Sequence, residues 1–489
     1  MRVFKTYCQL MYVFVLIVCL FLTPHLIFAQ DKASQIDELL TQMVENKQLN
    51  GSVLVAEAGK IIFKKGYGYA NMDWKIPNTV DTKFRIGSIT KQFVAMQIMQ
   101  LVEEGKVQLE AKVTDYIPEY RKDTGQKITI HHLLTHTSGI PTYTGLPGFW
   151  SDSTRNPYDI DYMIKNFHSG DLEFEPGTEY RYNNTGYFLL AVIVERVTGK
   201  TFEENLHERI LDPVRMANSG VDRNLEILDK RASGYMNLLT GYVNEPYFYM
   251  MNVLGAGDMY STVEDLYLWD RALHTDKLLS EKYKSIMFTP FLNNYAYGWS
   301  VYYQKLNESA DSVKVISHSG GINGFNTRIH RLVDDNHVVI IFNNTGSTNL
   351  NGMCASITNI LYDRPYELPK KSLARTIGET IIASDVKTAI EKYIDLKANY
   401  TDDYDFNEWA LNQLGYQLLG INRVQDAIEI FKLNIEEYPD AFNPYDSLGE
   451  GYMIAGDKEL AIKYYKKSLE LNPDNENAVK MIERMNQSK

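Results

Sequence analysis

The sequence predicts an α+β domain, an antiparallel sheet flanked by helices with a helical subdomain beside it, followed by an all-α repeat region. Three observations carry that expectation. Short alternating strands lie near both ends of the first 362 residues, helical periodicity fills the middle, and beyond Pro365 the chain repeats itself every 34 residues. At 489 residues and 44% hydrophobic composition the chain exceeds a usual single domain and has enough apolar side chains for a sizeable core.

The first thirty residues read as an export signal: Arg2 and Lys5, then Val13-Phe-Val-Leu-Ile-Val-Cys-Leu-Phe-Leu22, then Leu26-Ile-Phe-Ala29 before Gln30. The apolar run is too short, and too interrupted by Pro24 and His25, for a membrane span, so a signal peptide over 1–29 with cleavage after Ala29 is expected. An exported protein, periplasmic or extracellular, follows. Cys8 and Cys19 leave with the leader, and Cys354 remains alone as a buried apolar residue without a disulfide. The formal charge of −12 becomes −14 once Arg2 and Lys5 are gone, a surface that disfavours nucleic acid and anionic lipid.

Gly51–Ala56 and Ile61–Lys65 read as strands paired across a Gly59-Lys60 turn. Ser88-Ile-Thr-Lys91 then opens a run of helix formers, Gln92 to Gly105, with apolar residues at helical spacing and a glycine stop. A second strand cluster lies at Val313–Ser317, Phe325–Leu332 and Val338–Asn343, with Asp334-Asp-Asn336 as a hairpin turn, and a helix at about 350–361 closes the domain. The sheet is thus built from both ends of the domain and covered by its terminal helices. A cleft is expected between the sheet and the helical region, whose first helix carries Ser88.

Three stretches supply the groups of a serine acyl-transfer enzyme. A serine hydroxyl attacks only as it loses its proton to a base. Lys91, three residues after Ser88, shares its helix face, and burial lowers a lysine towards the neutral amine that accepts a proton. Tyr182-Asn-Asn184 places a phenol and a carboxamide two residues apart before an apolar helix, and Val313 to Gly321 runs an alternating strand through His318-Ser-Gly320. In this order they resemble the signature elements of the serine β-lactamase and penicillin-binding-protein superfamily, in its class C and D-alanyl-D-alanine carboxypeptidase branch. Ile128 to Ile140, Gly255 to Leu266 and Tyr297-Gly-Trp299 match the same branch, and the resemblance spans roughly residues 50 to 362.

The resemblance implies a β-lactamase/transpeptidase-like fold with Ser88 as the acylated nucleophile and Lys91 as its proton acceptor. Tyr182 would return the proton to the leaving group and then activate water, and Asn184 would bond Lys91 and the substrate amide. His318, where many relatives carry lysine, would hold a substrate carboxylate or tune Tyr182, with Ser319 and Gly320 beside it lining the substrate. The backbone N–H groups of Ser88 and Gly321 would form the oxyanion hole. Whether Lys91 or Tyr182 is the base in acylation stays open, and the chemistry calls for no cofactor and no metal. His131, His132 and His136 lack an acidic ligand or a recognised spacing for zinc.

Leu414 and Leu448, Gly415 and Gly449, Ala427 and Ala461, Phe431 and Tyr465, Pro439 and Pro473 are each 34 residues apart, the tetratricopeptide period. The expected division is a hydrolase domain over 30–364, a linker with a degenerate repeat helix over 365–400, and repeats over 401–489. The expected function is an exported serine hydrolase acting on D-alanyl peptides, β-lactams or related esters and amides, with the repeats binding a protein partner or bracing the domain. The alternatives are an esterase or D-amino-acid amidase on the same scaffold, and a sensor that captures ligand without turnover.

Overall fold

The computed structural model describes residues 31–150, 153–346 and 348–487. The expected leader, with Cys8 and Cys19, lies outside the described residues. Helix α1 (Lys32–Glu45) turns Ile36, Leu39, Leu40 and Met43 inward, a stripe at helical spacing, and Asp31 caps it by accepting from the Ser34 N–H at 2.7 Å. Strands β1 (Gly51–Glu57) and β2 (Lys60–Tyr67) follow. Their turn falls at Ala58-Gly59, one residue before the expected Gly59-Lys60, because Lys60 already pairs with Glu57. Both turn residues have positive φ, 46° and 75°, the backbone twist that joins two-residue hairpins.

The helical region contributes α2 (Thr90–Glu103) and α3 (Asn184–Thr198), then a hairpin of β3 (Tyr235–Leu238) and β4 (Gly241–Asn244), then α4 (Val263–Leu273). The chain returns to the sheet through β5 (Ser300–Lys305), β6 (Ser312–Ile322), β7 (Phe325–Leu332) and β8 (His337–Asn343), and ends this part with α5 (Leu350–Leu361). The six-stranded antiparallel sheet has the order β5-β6-β7-β8-β1-β2, so β1 sits between β8 and β2, with Gly51 opposite Asn343.

Side chains alternate between the two faces of this sheet. Val53, Val55, Val339 and Ile341 meet Leu40 of α1 and Ile357 of α5 on one side. Leu54, Ile329 and Ile340 meet Phe93 of α2 and Trp269 of α4 on the other. A strand buried on both faces has no polar side to advertise, which is why Val338 to Phe342 reads as a continuous apolar run. Helix α2 is buried from Thr90 to Leu101, so residues placed on it are fixed by packing on every side. Cys354 of α5 is a free thiol at 0% exposure.

Helices α6 (Leu373–Ala383) and α7 (Val386–Asn399) occupy the stretch expected as linker and degenerate repeat. Helices α8 (Glu408–Gly420), α9 (Val424–Glu437), α10 (Phe442–Ala455) and α11 (Lys458–Leu471) form two hairpins in the 34-residue register, and α12 (Glu476–Gln487) packs on the last. The repeated glycines let each pair close: a Cβ at Gly415 would lie 2.2 Å from the Phe431 ring, and one at Gly449 3.0 Å from Tyr465.

The helical array is bound to the sheet domain by apolar and polar contacts. Leu239, at the β3-β4 hairpin tip, is buried in the core of α6 and α8, and a Cβ at Gly378 would lie 2.5 Å from it. The turn after α1 holds the connecting segment: Asn46 donates to the Pro369 carbonyl at 3.0 Å, Gln48 to the Lys370 carbonyl at 3.2 Å, and Lys47 meets Glu379 at 2.9 Å. Leu239→Ala is therefore expected to destabilise the helical region by about 2–5 kcal/mol, the usual cost of a buried Leu→Ala cavity. Urea unfolding checks this, and an unchanged midpoint would show that the hairpin does not brace the repeats.

Candidate active site

Ser88 lies in a 3₁₀ turn, Gly87–Ile89, immediately before α2, and not on the α-helix itself as the sequence suggests. The cause is a neighbouring strand. Gly87 has φ 52°, and a Cβ there would lie 2.7 Å from the Gly321 nitrogen; a Cβ at Gly320 would lie 1.8 Å from the Ile86 carbonyl oxygen. Glycine at both positions lets β6 press against the turn that carries Ser88. Gly320 is thus buried by this approach, while Ser319 and Gly321 stay exposed. Beyond Ser317 strand β6 has no β5 partner, so one edge of 318–322 is open beside the serine.

Lys91 is wholly buried, with three partners. Its Nζ lies 3.1 Å from Ser88 Oγ, 2.8 Å from Asn184 Oδ1 and 2.7 Å from the Ala256 carbonyl oxygen. Two of these only accept, and the third is a hydroxyl that can also donate. A neutral amine has two N–H donors and one lone pair, so it satisfies all three when Ser88 gives it the third hydrogen bond. Burial holds Lys91 well below the usual lysine range, with Asp258 opposing the shift.

Asn184 opens α3, after Asn183, whose side chain caps the helix by accepting from the Gly186 N–H at 3.0 Å. Its orientation is set from the other end: Nδ2 donates to Thr144 Oγ1 at 2.9 Å, leaving Oδ1 for the lysine. Tyr182 stands two residues earlier, its ring centre 5.0 Å from Lys91 Nζ and 4.3 Å from the His136 ring. The Tyr182 hydroxyl is buried beside Ser88. Burial raises this phenol well above its ordinary value, with Ser88 opposing the rise.

His318 is neutral and its tautomer is fixed. Nδ1 lies 2.6 Å from the Ser319 carbonyl oxygen, which can only accept, so Nδ1 carries the hydrogen and Nε2 accepts from the Tyr295 hydroxyl at 2.9 Å. Burial, helped by Lys91, pushes the imidazole down to about 3. Burial thus works against the cation that would bind a carboxylate there. Charge near this position comes instead from Arg328 on β7, opposite Ser319. A cavity of about 660 Å³ joins Tyr182, His318 and Ser319 to Arg328 and to Asn351 of α5. Arg328 is 8% exposed, bonds the Tyr302 hydroxyl at 2.9 Å, and leaves its Nε unpartnered, with no ion pair among the described residues.

The neighbouring histidines have local duties. His132 accepts from the Thr129 N–H at 3.2 Å, His131 bonds the Tyr297 hydroxyl at 2.7 Å, and His136 accepts from the Asn183 N–H at 3.1 Å. Sequence reasoning did not single out Ala256, Asp258, Tyr295 or Arg328. The Ala256 contribution is a carbonyl, which no side-chain pattern marks. Arg328 carries one legible signal, a charge between Thr327 and Ile329 in an otherwise inward-facing strand.

A family model described as Beta-lactamase matches residues 36–353, and one described as Tetratricopeptide repeat matches 443–475. A penicillin-binding protein of Bacillus subtilis (strain 168) is 32% identical over 365 residues, covering 70% of this chain and 79% of its own. The solved penicillin-binding protein homologue from Pyrococcus abyssi has 27% identity and a TM-score of 0.61 over 70% of this chain and 80% of that one. The D-amino acid amidase from Ochrobactrum anthropi SV3, 23% identical with a TM-score of 0.58 over 67% of this chain and 98% of that one, shares the fold.

Proposed function

The chain belongs to the beta-lactamase family, and on that premise we propose that it is a serine hydrolase working through an acyl-enzyme on Ser88, with Lys91 as the base. The observation that carries this is the buried Lys91 Nζ 3.1 Å from Ser88 Oγ, held there by the Asn184 amide oxygen and the Ala256 carbonyl. Lys91 takes the Ser88 proton as Oγ attacks the acyl carbon, and the backbone N–H groups of Ser88 and Gly321 hold the oxyanion. As the intermediate collapses, Tyr182 gives its proton to the leaving group and regains one from the Lys91 ammonium. A water then repeats the attack, losing its proton to the same pair, and Ser88 is restored. The raised Tyr182 phenol and the lowered Lys91 support this division of the open roles. Fluorophosphonate and fluorescent-penicillin labelling of the purified protein, with turnover measured beside it, separates a hydrolase from a ligand sensor.

The substrate class we propose is an acyl compound bearing a carboxylate, as D-alanyl peptides and β-lactams do. Arg328 supports it, because a buried guanidinium with an unspent Nε–H is costly unless an anion completes it. An esterase or D-amino-acid amidase with neutral substrates is the second reading, and the neutral His318 favours it. Arg328→Met decides between them. For a carboxylate-bearing ester KM is expected to rise about tenfold or more, as loss of a charged hydrogen bond implies, with the neutral analogue unaffected. Equal effects on both would remove Arg328 from substrate recognition. We also propose that the protein acts outside the cytoplasm, on the strength of the leader sequence; among the described residues no helix is long and apolar enough to cross a membrane. Fractionation of expressing cells tests it.

A further inference from the structure

The β3-β4 hairpin is a two-stranded sheet of its own, apart from the six-stranded one, and most of its side chains are half-buried or exposed. A ribbon of two strands is marginal in water, so its place is set by whatever grips its two ends. The tip is held by the helical array. Leu239 is buried in the core of α6 and α8, and Asn237 accepts from Arg375 of α6 while donating to the Lys47 carbonyl at 3.1 Å.

The base of the ribbon lies against the strand that borders Ser88. The Glu245 N–H donates to the Gly234 carbonyl at 3.1 Å and closes the ribbon there. Between β6 and β7 the chain turns through Asn323-Gly324, both left-handed with φ 29° and 76°, the geometry of a two-residue hairpin. This turn sits in the ribbon base with no room for a methyl group. A Cβ at Gly324 would lie 2.5 Å from the Tyr235 nitrogen and 2.6 Å from Glu245 Cγ, and one at Gly234 would lie 2.3 Å from the Asn323 carbonyl oxygen. Asn323 Nδ2 also donates to the Pro246 carbonyl at 3.0 Å. Gly321 stands two residues before Asn323, and a Cβ at Gly87 would lie 2.7 Å from its nitrogen. The end of β6 is therefore in backbone contact with the Ser88 turn at one point and with the ribbon two residues further on.

We propose that the helical array positions the oxyanion hole: acting through the β3-β4 ribbon, it holds the Asn323-Gly324 turn, and with it the Gly321 N–H, at the spacing from Ser88 that a tetrahedral intermediate requires. This rests on the acyl-enzyme reading of Ser88 and Gly321. An oxyanion donor works at about 2.7–3.1 Å, and a misplacement of about 1 Å can cost roughly 10² in rate. Pairing of Gly321 with Asn326 fixes β6 within its sheet, and the ribbon supports the turn at its end. Loosening the ribbon at either end should then slow the chemical step and spare substrate binding.

The test is Ser88 labelling by a fluorophosphonate in the full chain, well below the melting temperature, read as the maximal rate and the half-saturating concentration. Leu239→Ala loosens the tip, and Asn323→Gly loosens the base by dropping the Pro246 bond while keeping the left-handed φ. Each is expected to lower the maximal rate about tenfold with half-saturation within about twofold. The double variant should lose little more than either alone, since both release one element. Tyr465→Ala, in the separate core of α11 and α12, should lower the melting temperature and leave the rate unchanged. An unchanged maximal rate in Leu239→Ala or Asn323→Gly, a rise in half-saturation alone, losses that multiply, or an equal loss in Tyr465→Ala would each overturn the proposal while leaving Ser88 as the nucleophile. Should Leu239→Ala not fold, Arg375→Met frees Asn237 with Leu239 in place, and an unchanged rate there would overturn it. Wild-type protein that takes no label at Ser88 would overturn the acyl-enzyme reading, and the proposal with it.

Discussion

Replacing Ser88 by alanine is expected to abolish covalent labelling by both fluorophosphonate and fluorescent penicillin and to lower turnover by about 10⁶. The size follows from the arrangement around the hydroxyl. Lys91 Nζ lies 3.1 Å from this oxygen, Gly321 lies against the turn that carries it, and the edge of β6 beyond Ser317 has no β5 partner. The change deletes a partly exposed hydroxyl from a turn whose shape is set by Gly87 and β6, so far-UV circular dichroism and the melting temperature should stay close to wild type. An adduct mapped by mass spectrometry to another serine would end the assignment.

Lys91→Ala and Tyr182→Phe should each lower turnover by roughly 10²–10⁴, the range of general acid–base catalysis, and the leaving group should tell them apart. Lys91 is assigned to take a proton before the leaving group departs, and Tyr182 to give one as it departs. An activated ester with an acidic phenol needs no protonation, so the Tyr182→Phe defect should shrink on it while the Lys91→Ala defect persists. Removing both should cost little more than Lys91→Ala alone, since groups that pass one proton act as a unit. Defects that multiply in the double variant would show that the two residues do not share one proton, and a Lys91→Ala defect that also vanishes on the activated ester would remove Lys91 as the base. The pH sign is fixed by burial: the amine is the active form, so activity is lost as pH falls through the depressed lysine value.

How much of this could be read from the sequence depends on whether a feature is local. The turn at Asp334-Asp-Asn336, the apolar run of β8 and the helix Leu350–Leu361 fall where periodicity puts them, because each is decided by neighbours within a few residues. The 34-residue register likewise reappears as helix pairs that close on Gly415 and Gly449. The 3₁₀ turn under Ser88 was not legible, since it is imposed by a strand more than two hundred residues later. Within the site, Ser88, Lys91 and Asn184 announce themselves by side-chain chemistry and are joined by hydrogen bonds. The neutrality of His318 does not, because it depends on Tyr295, the Ser319 carbonyl and the depth of burial.

The position of β1 between β8 and β2 sets the order in which this protein can be made. Gly51 to Ala56 must wait for Val338 to Asn343 before the sheet has its centre. An isolated two-stranded hairpin is marginal in water, so the β1-β2 pair has no stable partner while the intervening chain is still emerging. Such long-range pairing also makes folding slow compared with local helix formation. The nascent hydrolase part therefore stays unfolded, and protease-sensitive, until nearly all of it is synthesised. The α8–α11 hairpins, whose contacts are local, are left to form afterwards on a sheet already closed.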